Sequence, residues 1–222
     1  MNSKGATLEI DGLWGTRSQN AWEKYGPNGQ SSGAPQTPTS SGWMPNINHV
    51  PRWNHSSRPA LNAKGIVLHR TAGYFSTGDY AVGKWGNYRG QSHKGSSLGF
   101  HFLLGEEEGE WIQFCSIKKH VSHVRVWSSH YVGIEFSGDV GQYRDGYKYG
   151  EDLTDWQIKK GVQIIKWITG QLGIPRDELQ HQSKMFQHDS VFHGLLGHRD
   201  LSGNTHADSP NKGDWARIMG EL

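Results

Sequence analysis

A single cysteine, Cys115, stands in the 222 residues of this chain, which excludes an internal disulfide framework and every Cys-x-x-Cys zinc or redox site. A bound metal must therefore draw on histidine and carboxylate. No run approaches the roughly 20 apolar residues that a membrane helix requires, and Met1-Asn2-Ser3-Lys4-Gly5 leads into polar sequence where a secretion signal carries its apolar stretch. Neither membrane insertion nor a general secretion signal is expected. An excess of one charge is also missing. With 23 Lys+Arg against 21 Asp+Glu the formal net charge is +2, too balanced for affinity built on phosphate counterion release, so no nucleic acid partner is expected. Aliphatic residues are scarce, the hydrophobic fraction being 34%, but 30 Gly, 10 Trp and 13 His replace them in a way that disordered chains do not. The length suits one domain of common size with an appendage, or two small domains.

Composition divides the chain into three parts. Residues 1–25 hold a turn around Asp11-Gly12 and then a short helical pattern, with Ser18 placed as its N-cap and Gly26 past its end. Residues 26–60 begin as a Gly/Pro/Ser-rich linker and continue through Trp43, Ile47, Val50 and Trp53, enough apolar residues for an ordered arm lying over a neighbouring domain. From 61 to 222 strands and helices alternate. Residues 65–69 form a β-branched run suited to a buried strand, 99–104 and 110–114 a strand pair joined through the acidic turn at 106–109, and 131–136 a fourth strand. The clearest helix follows. Thr154 and Gln157 carry a capping-box signature, Ile158, Val162, Ile165, Ile168 and Leu172 recur at helical spacing, and Gly173 and Pro175 supply the stop. A last helix over 214–221 is expected to pack Trp215, Ile218 and Met219.

Among the histidines, His69 ends a predicted buried strand, His198 follows a short apolar run, and Asp208 comes ten residues later. Two imidazoles and a carboxylate suit zinc, which takes three protein ligands in catalytic sites and leaves a fourth position open for water. Such a site generates a nucleophile near neutral pH and polarises a carbonyl. A nearby carboxylate must then move protons. Glu135 sits within the apolar run Val132-Gly133-Ile134-Glu135-Phe136, where burial without a role is costly, so it is a catalytic candidate with pairing to a buried arginine as the alternative. His206 competes with Asp208 as the third ligand.

Ile66-Val67-Leu68-His69-Arg70-Thr71-Ala72-Gly73, Gly99-Phe100-His101-Phe102-Leu103-Leu104, Ser122-His123-Val124, Val132-Gly133-Ile134-Glu135-Phe136-Ser137-Gly138, Gly197-His198-Arg199-Asp200 and Asp208-Ser209-Pro210 occur in that order. Together they resemble the zinc-dependent N-acetylmuramoyl-L-alanine amidases, a family that includes phage lysozyme-type amidases and resembles the peptidoglycan recognition proteins. The resemblance covers roughly residues 60–222. It implies an α/β fold, a single mixed β-sheet flanked by helices with a zinc site in a surface groove, cleaving the amide between N-acetylmuramic acid and L-alanine in peptidoglycan or muropeptides.

Carried over by position, the resemblance makes His69, His198 and Asp208 the Zn2+ ligands and Glu135 the catalytic glutamate. His206 stands where many members have a lysine that stabilises the tetrahedral oxyanion, and Asp208-Ser209-Pro210 departs from the more usual Asp-Pro-Gly. His101 and His123 match positions near the groove, with packing or a hydrogen bond to a ligand set against substrate contact. Tyr74, Trp85, Tyr88 and Trp127 are candidate groove walls, Cys115 a buried apolar residue, and His49, His55, His93, His120, His130, His181, His188 and His193 surface or loop residues. Residues 10–22 resemble the signature of small helical peptidoglycan-binding modules, but only some 25 residues precede the linker, so a docking or vestigial element is the leading reading. A monomer is expected, made in the cytoplasm and acting on the cell wall through phage lysis or dedicated export. A non-catalytic recognition or anchoring module, a secreted antibacterial effector and a muropeptide-recycling enzyme are the alternatives.

Overall fold

The computed structural model describes residues 41–49, 58–71, 100–138, 142–144, 147–149, 151–174, 191–201 and 208–222. Residues 1–40, and with them the predicted amino-terminal helix, lie outside this set. The two longest strands, β2 (Gly65–Arg70) and β5 (Tyr131–Phe136), are buried along their whole length. Their near-continuous apolar runs fit strands covered on both faces. Around them a six-stranded sheet forms in the order β1-β4-β3-β5-β2-β8, where β1 is Asn48–His49, β3 Phe102–Leu104, β4 Trp111–Gln113 and β8 Gly194–Gly197. Every pairing is parallel except β3 with β4, so the sheet is mixed, as expected. A separate antiparallel hairpin joins β6 (Gln142–Arg144) to β7 (Tyr147–Tyr149).

Side chains alternate across a strand, and this parity sorts the sheet into two faces. Ile66, Leu68, Phe102, Leu104, Val132, Ile134, Phe136 and Leu195 belong to the main core, under helix α1 (Asp155–Leu172) and helix α2 (Lys212–Glu221). α1 contributes Ile158, Val162, Ile165 and Ile168, and α2 contributes Trp215 and Ile218. Val67, Tyr131 and Leu196, of the opposite parity, pack with Val124 and Leu201 in a smaller cluster, with Trp127 half-buried against it. His69, Gly133 and Glu135 share the parity of this second face.

The caps are local and strong. Thr154 Oγ1 accepts from the Gln157 backbone N–H, and Gln157 Oε1 accepts from the Thr154 N–H. Gly173 closes α1 in the left-handed conformation at φ 64°, where a residue without a Cβ pays no steric penalty. α2 begins at Lys212, two residues ahead of the expected start, because the Asn211 side chain caps it and Asp214 lies inside the first turn as the reciprocal partner.

Residues 41–49 lie within the segment read from sequence as linker and possible arm, and their last two residues form the edge strand β1. β1 pairs with β4, and Met44 and Ile47 enter the main core. The fully buried Gln113 side chain holds the segment: its Oε1 accepts from the Met44 N–H at 2.7 Å, and its Nε2 donates to Gly42 O at 2.9 Å and Cys115 O at 2.8 Å. His49 is half-buried here, its Nε2 2.6 Å from Met44 O and its ring against Trp43. Cys115 is buried, and burial pushes its thiol up to about 11, in keeping with an apolar role. Among the described residues, no helix is long and apolar enough to cross a membrane.

Candidate metal centre and catalytic site

The register of the parallel strands brings the candidate residues together. Leu68 pairs with Gly197 at the end of the β2–β8 ladder, so the next residue in each chain, His69 and His198, projects from the same end of the sheet. His69 pairs with Glu135 across β2 and β5, which puts the two on one face. Carboxyl ends of parallel strands are a recurrent location for ligand sites.

Asp208 completes the group. Its Oδ2 lies 3.1 Å from His69 Nδ1 and 3.0 Å from His198 Nδ1, and its Oδ1 lies 2.9 Å from His198 Nδ1. The two imidazole rings are 4.6 Å apart between centroids. One ligand atom from each residue falls within 4.8 Å of the others, a spacing that suits a shared cation. Asp208 Oδ1 is buried and has no hydrogen-bond partner among the described residues despite its closeness to His198, so an acceptor is left over at the centre of the group. Two imidazole nitrogens and a carboxylate, one of whose oxygens is an unsatisfied acceptor, form a donor set that fits zinc. Burial alone would raise the Asp208 carboxyl, but contacts with His198 and His69 reverse this and hold it below the ordinary carboxylate range.

A close approach makes the placement of Asp208 possible. A Cβ on Gly197 would lie 2.6 Å from Ser209 Oγ and 3.0 Å from Ser209 Cβ, so the 208–210 segment rests directly on the strand end because residue 197 has no side chain. Ser209 is itself buried, and its Oγ accepts from the Arg199 N–H. The departure from Asp-Pro-Gly at this point thus supplies a hydroxyl that ties the loop to the turn carrying His198.

Glu135 is 8% exposed. Burial, reinforced by the nearby Asp208 charge and opposed by Arg70, pushes its carboxyl well above the ordinary glutamate range. The buried Arg70 guanidinium, near enough to Glu135 to oppose that rise, pairs with Asp214 at 3.6 Å. Asp214 also accepts from the Leu153 N–H, so it ties the start of α2 both to the end of β2 and to the residues that lead into α1.

His123, half-buried, and His101 lie on the same side. His123 Nδ1 lies 2.9 Å from His69 Nε2, and His123 Nε2 lies 2.9 Å from Tyr131 O. Burial, with His69 and His101 close by, drives the His123 ring well below the ordinary imidazole range and keeps it neutral. His101 is fully buried. Its Nε2 faces Lys119 O, its Nδ1 accepts from the Gly133 N–H, and burial lowers its pKa to about 4. It therefore serves packing and backbone satisfaction. His206, Tyr74, Trp85 and Tyr88 fall outside the described residues, as do His55, His93, His181 and His188. His193 is exposed, and His120 and His130 are half-buried. The sequence marks Ser209 only as a departure from Asp-Pro-Gly and gives Gly133 and Gly197 no role of their own, because the importance of all three lies in which neighbour each one touches.

Residues 59–212 match the family described as N-acetylmuramoyl-L-alanine amidase. No curated protein matches the chain. Among solved structures, the endolysin amidase LysCS from Clostridium intestinale URNW is similar at 18% identity with a TM-score of 0.52, over 80% of this chain and 97% of that one. The amidase LysC from the same organism is similar at 17% identity and a TM-score of 0.51, over 79% and 98% of the two chains. A selenomethionine derivative of AmpD is 14% identical with a TM-score of 0.52, over 82% and 98%. At these identities the likeness to solved structures concerns the fold.

Proposed function

The chain belongs to the N-acetylmuramoyl-L-alanine amidase family, and from that premise we propose that it hydrolyses the amide between N-acetylmuramic acid and the L-alanine of the peptidoglycan stem. The observation that carries this reading is the convergence of one ligand atom each from His69, His198 and Asp208 within 4.8 Å, on the sheet face that also presents Glu135. His69, His198 and Asp208 would hold zinc. When bound there, zinc polarises the scissile carbonyl and lowers the pKa of water.

The chain's own groups carry the proton. Glu135, with its proton affinity raised by burial, takes a proton from the attacking water and returns it to the leaving nitrogen of L-alanine. That return prevents the amine from departing as an unstable anion. His206 is assigned a hydrogen bond to the carbonyl oxygen as it gains charge, in the place where many family members carry lysine. The biological setting proposed is wall lysis of the endolysin type, carried out by the amidase unit that follows the linker.

Mass spectrometry of purified sacculi digested by the zinc-loaded protein, beside a chelator-treated control, tests the reaction. Zinc-dependent release of free stem peptides with an L-alanine amino terminus is the expected result. Release of sugar fragments or internally cut peptides would place the cut at another bond. No release by folded, zinc-loaded protein would leave a recognition or anchoring module.

A further inference from the structure

The hydrogen bonds behind His69 run in one direction. Tyr131 O is a carbonyl oxygen and can only accept, so His123 Nε2, 2.9 Å away, must carry a proton. In a neutral imidazole the other nitrogen is then bare. That bare nitrogen, His123 Nδ1, lies 2.9 Å from His69 Nε2, which must in turn be the donor. A neutral His69 is left with its lone pair on Nδ1, the atom 3.1 Å from Asp208 Oδ2. A proton or a metal cation must therefore lie between that nitrogen and the carboxylate oxygen, and a bound metal would take the lone pair in the proton's place.

Resting on the metal assignment above, we propose that His123 is a positioning residue: it fixes His69 as the Nε2–H tautomer and so aims a lone pair at the metal point. Two features hold the His123 ring in place. Ser128 Oγ accepts from the backbone N–H of both His123 and Val124, each at 2.9 Å, which clamps the turn on which the ring is mounted. On the other side, a Cβ at Gly133 would lie 2.8 Å from His123 Nδ1 and 3.0 Å from Cε1. The ring therefore occupies the space a side chain at 133 would fill, and the crowded atom is the one that accepts from His69. Gly133 cannot withdraw, because its N–H donates to His101 Nδ1 and its carbonyl accepts from the His101 N–H. One strand, β5, thus supplies the carbonyl that orients His123, the glycine that admits it and, at Glu135, the proposed proton carrier.

The test has two readouts, neither of them activity. Nitrogen-15 NMR of the histidine rings in the wild-type protein, with and without zinc, distinguishes protonated from bare nitrogens. The expected pattern is a proton on His69 Nε2 and on His123 Nε2, with His123 Nδ1 bare in both states. Zinc affinity, measured by competition with a chromophoric chelator, is expected to fall about 10- to 100-fold in His123→Leu, which removes the acceptor. Most of that affinity should return in His123→Asn, whose Oδ1 can accept near the same place. A proton on His123 Nδ1 in zinc-binding wild type, or zinc affinity of folded His123→Leu within twofold of wild type, overturns the inference alone. The NMR pattern needs no variant, so a variant that fails to fold leaves the test intact. Wild-type protein that binds no zinc overturns the metal assignment and this inference with it.

Discussion

His69 and Glu135 are paired in register across the parallel strands β2 and β5, and both leave the sheet on the face opposite α1. One ladder thus places a candidate ligand and a candidate proton carrier side by side. Because neighbouring parallel strands keep side chains of like parity on one face, any slip of one residue between β2 and β5 would put one of the pair under α1. The apolar residues flanking them, Leu68 and Ile134, are fully buried in the main core and resist such a slip. Hydrophobic patterning on one face thereby sets the geometry of chemistry on the other.

Metal binding and turnover should separate along this ladder. His69→Ala, His198→Ala and Asp208→Ala are expected to lose zinc and amidase activity together. Glu135→Gln is expected to keep zinc within a few-fold and to lose about 10²- to 10⁴-fold in kcat, the usual contribution of a positioned general acid–base group. Metal content by atomic spectroscopy, read beside turnover of a soluble muropeptide, checks both halves. Near wild-type turnover in Glu135→Gln would remove the proton-transfer assignment.

Gly197→Ala should disturb the centre without touching a ligand. The added Cβ would lie 2.6 Å from Ser209 Oγ and 3.0 Å from Ser209 Cβ, and both belong to a buried residue with little room to retreat. The segment must shift, and Asp208 with it. Zinc affinity is expected to fall about tenfold or more, in the range seen when groups supporting a ligand are altered. Adding Ser209→Gly removes both clashing atoms and should restore part of the loss, a non-additivity that a double-mutant cycle measures. Simple additivity of the two changes would mean that the contact does not position Asp208.

How much of this arrangement is legible in the sequence depends on the range of the cause. β2, β5 and α1 follow from local signals: apolar runs, the Thr154–Gln157 box and Gly173. β8 is four residues long with glycine at both ends, and it is a strand because β2 offers it a partner. β1 is a two-residue strand whose backbone is recruited by β4 and by a glutamine 69 residues from Met44. The same division holds at the site. His69, His198, Asp208 and Glu135 are recognisable by residue type and motif. The path from Tyr131 O through His123 to His69 depends on strand parity and on an absent Cβ at Gly133, and neither is a property of any one stretch of sequence.

The arm at 41–49 should be part of the folding unit. Gln113→Leu keeps the approximate shape but strands the Met44 N–H and the Gly42 and Cys115 carbonyls, each of which costs about 1–3 kcal/mol if water cannot reach it. A loss of about 3 kcal/mol in unfolding free energy is expected, read from urea titration. Deleting residues 1–49 should lower the urea midpoint relative to deleting 1–40, since the longer deletion also takes Met44 and Ile47 out of the core. Equal midpoints would mean that the edge strand adds nothing to stability.

His101 should make the fold acid-sensitive. Its ring is fully buried between Lys119 O and the Gly133 N–H, and its pKa is lowered from 6.5 to about 4, chiefly by burial. Between those two values the unfolded chain binds a proton at this site that the folded chain does not, so stability falls as pH falls. The contribution is fully present above about pH 6.5 and is lost as pH drops toward 4; a shift of this size corresponds to about 3 kcal/mol. Asp200 works in the opposite sense. Burial raises its carboxyl from 3.8 to about 6, which favours the folded form at the acid end of the same window. The total pH profile therefore mixes opposing terms, and the His101 part must be taken by difference. His101→Asn keeps an acceptor for the Gly133 N–H but has no titrating group, so the wild-type-minus-variant stability difference should change by about 3 kcal/mol between pH 6.5 and 4. A difference that stays constant across that window, or a His101 ring that titrates near 6.5 by NMR, would show that the ring is not held neutral in the folded protein.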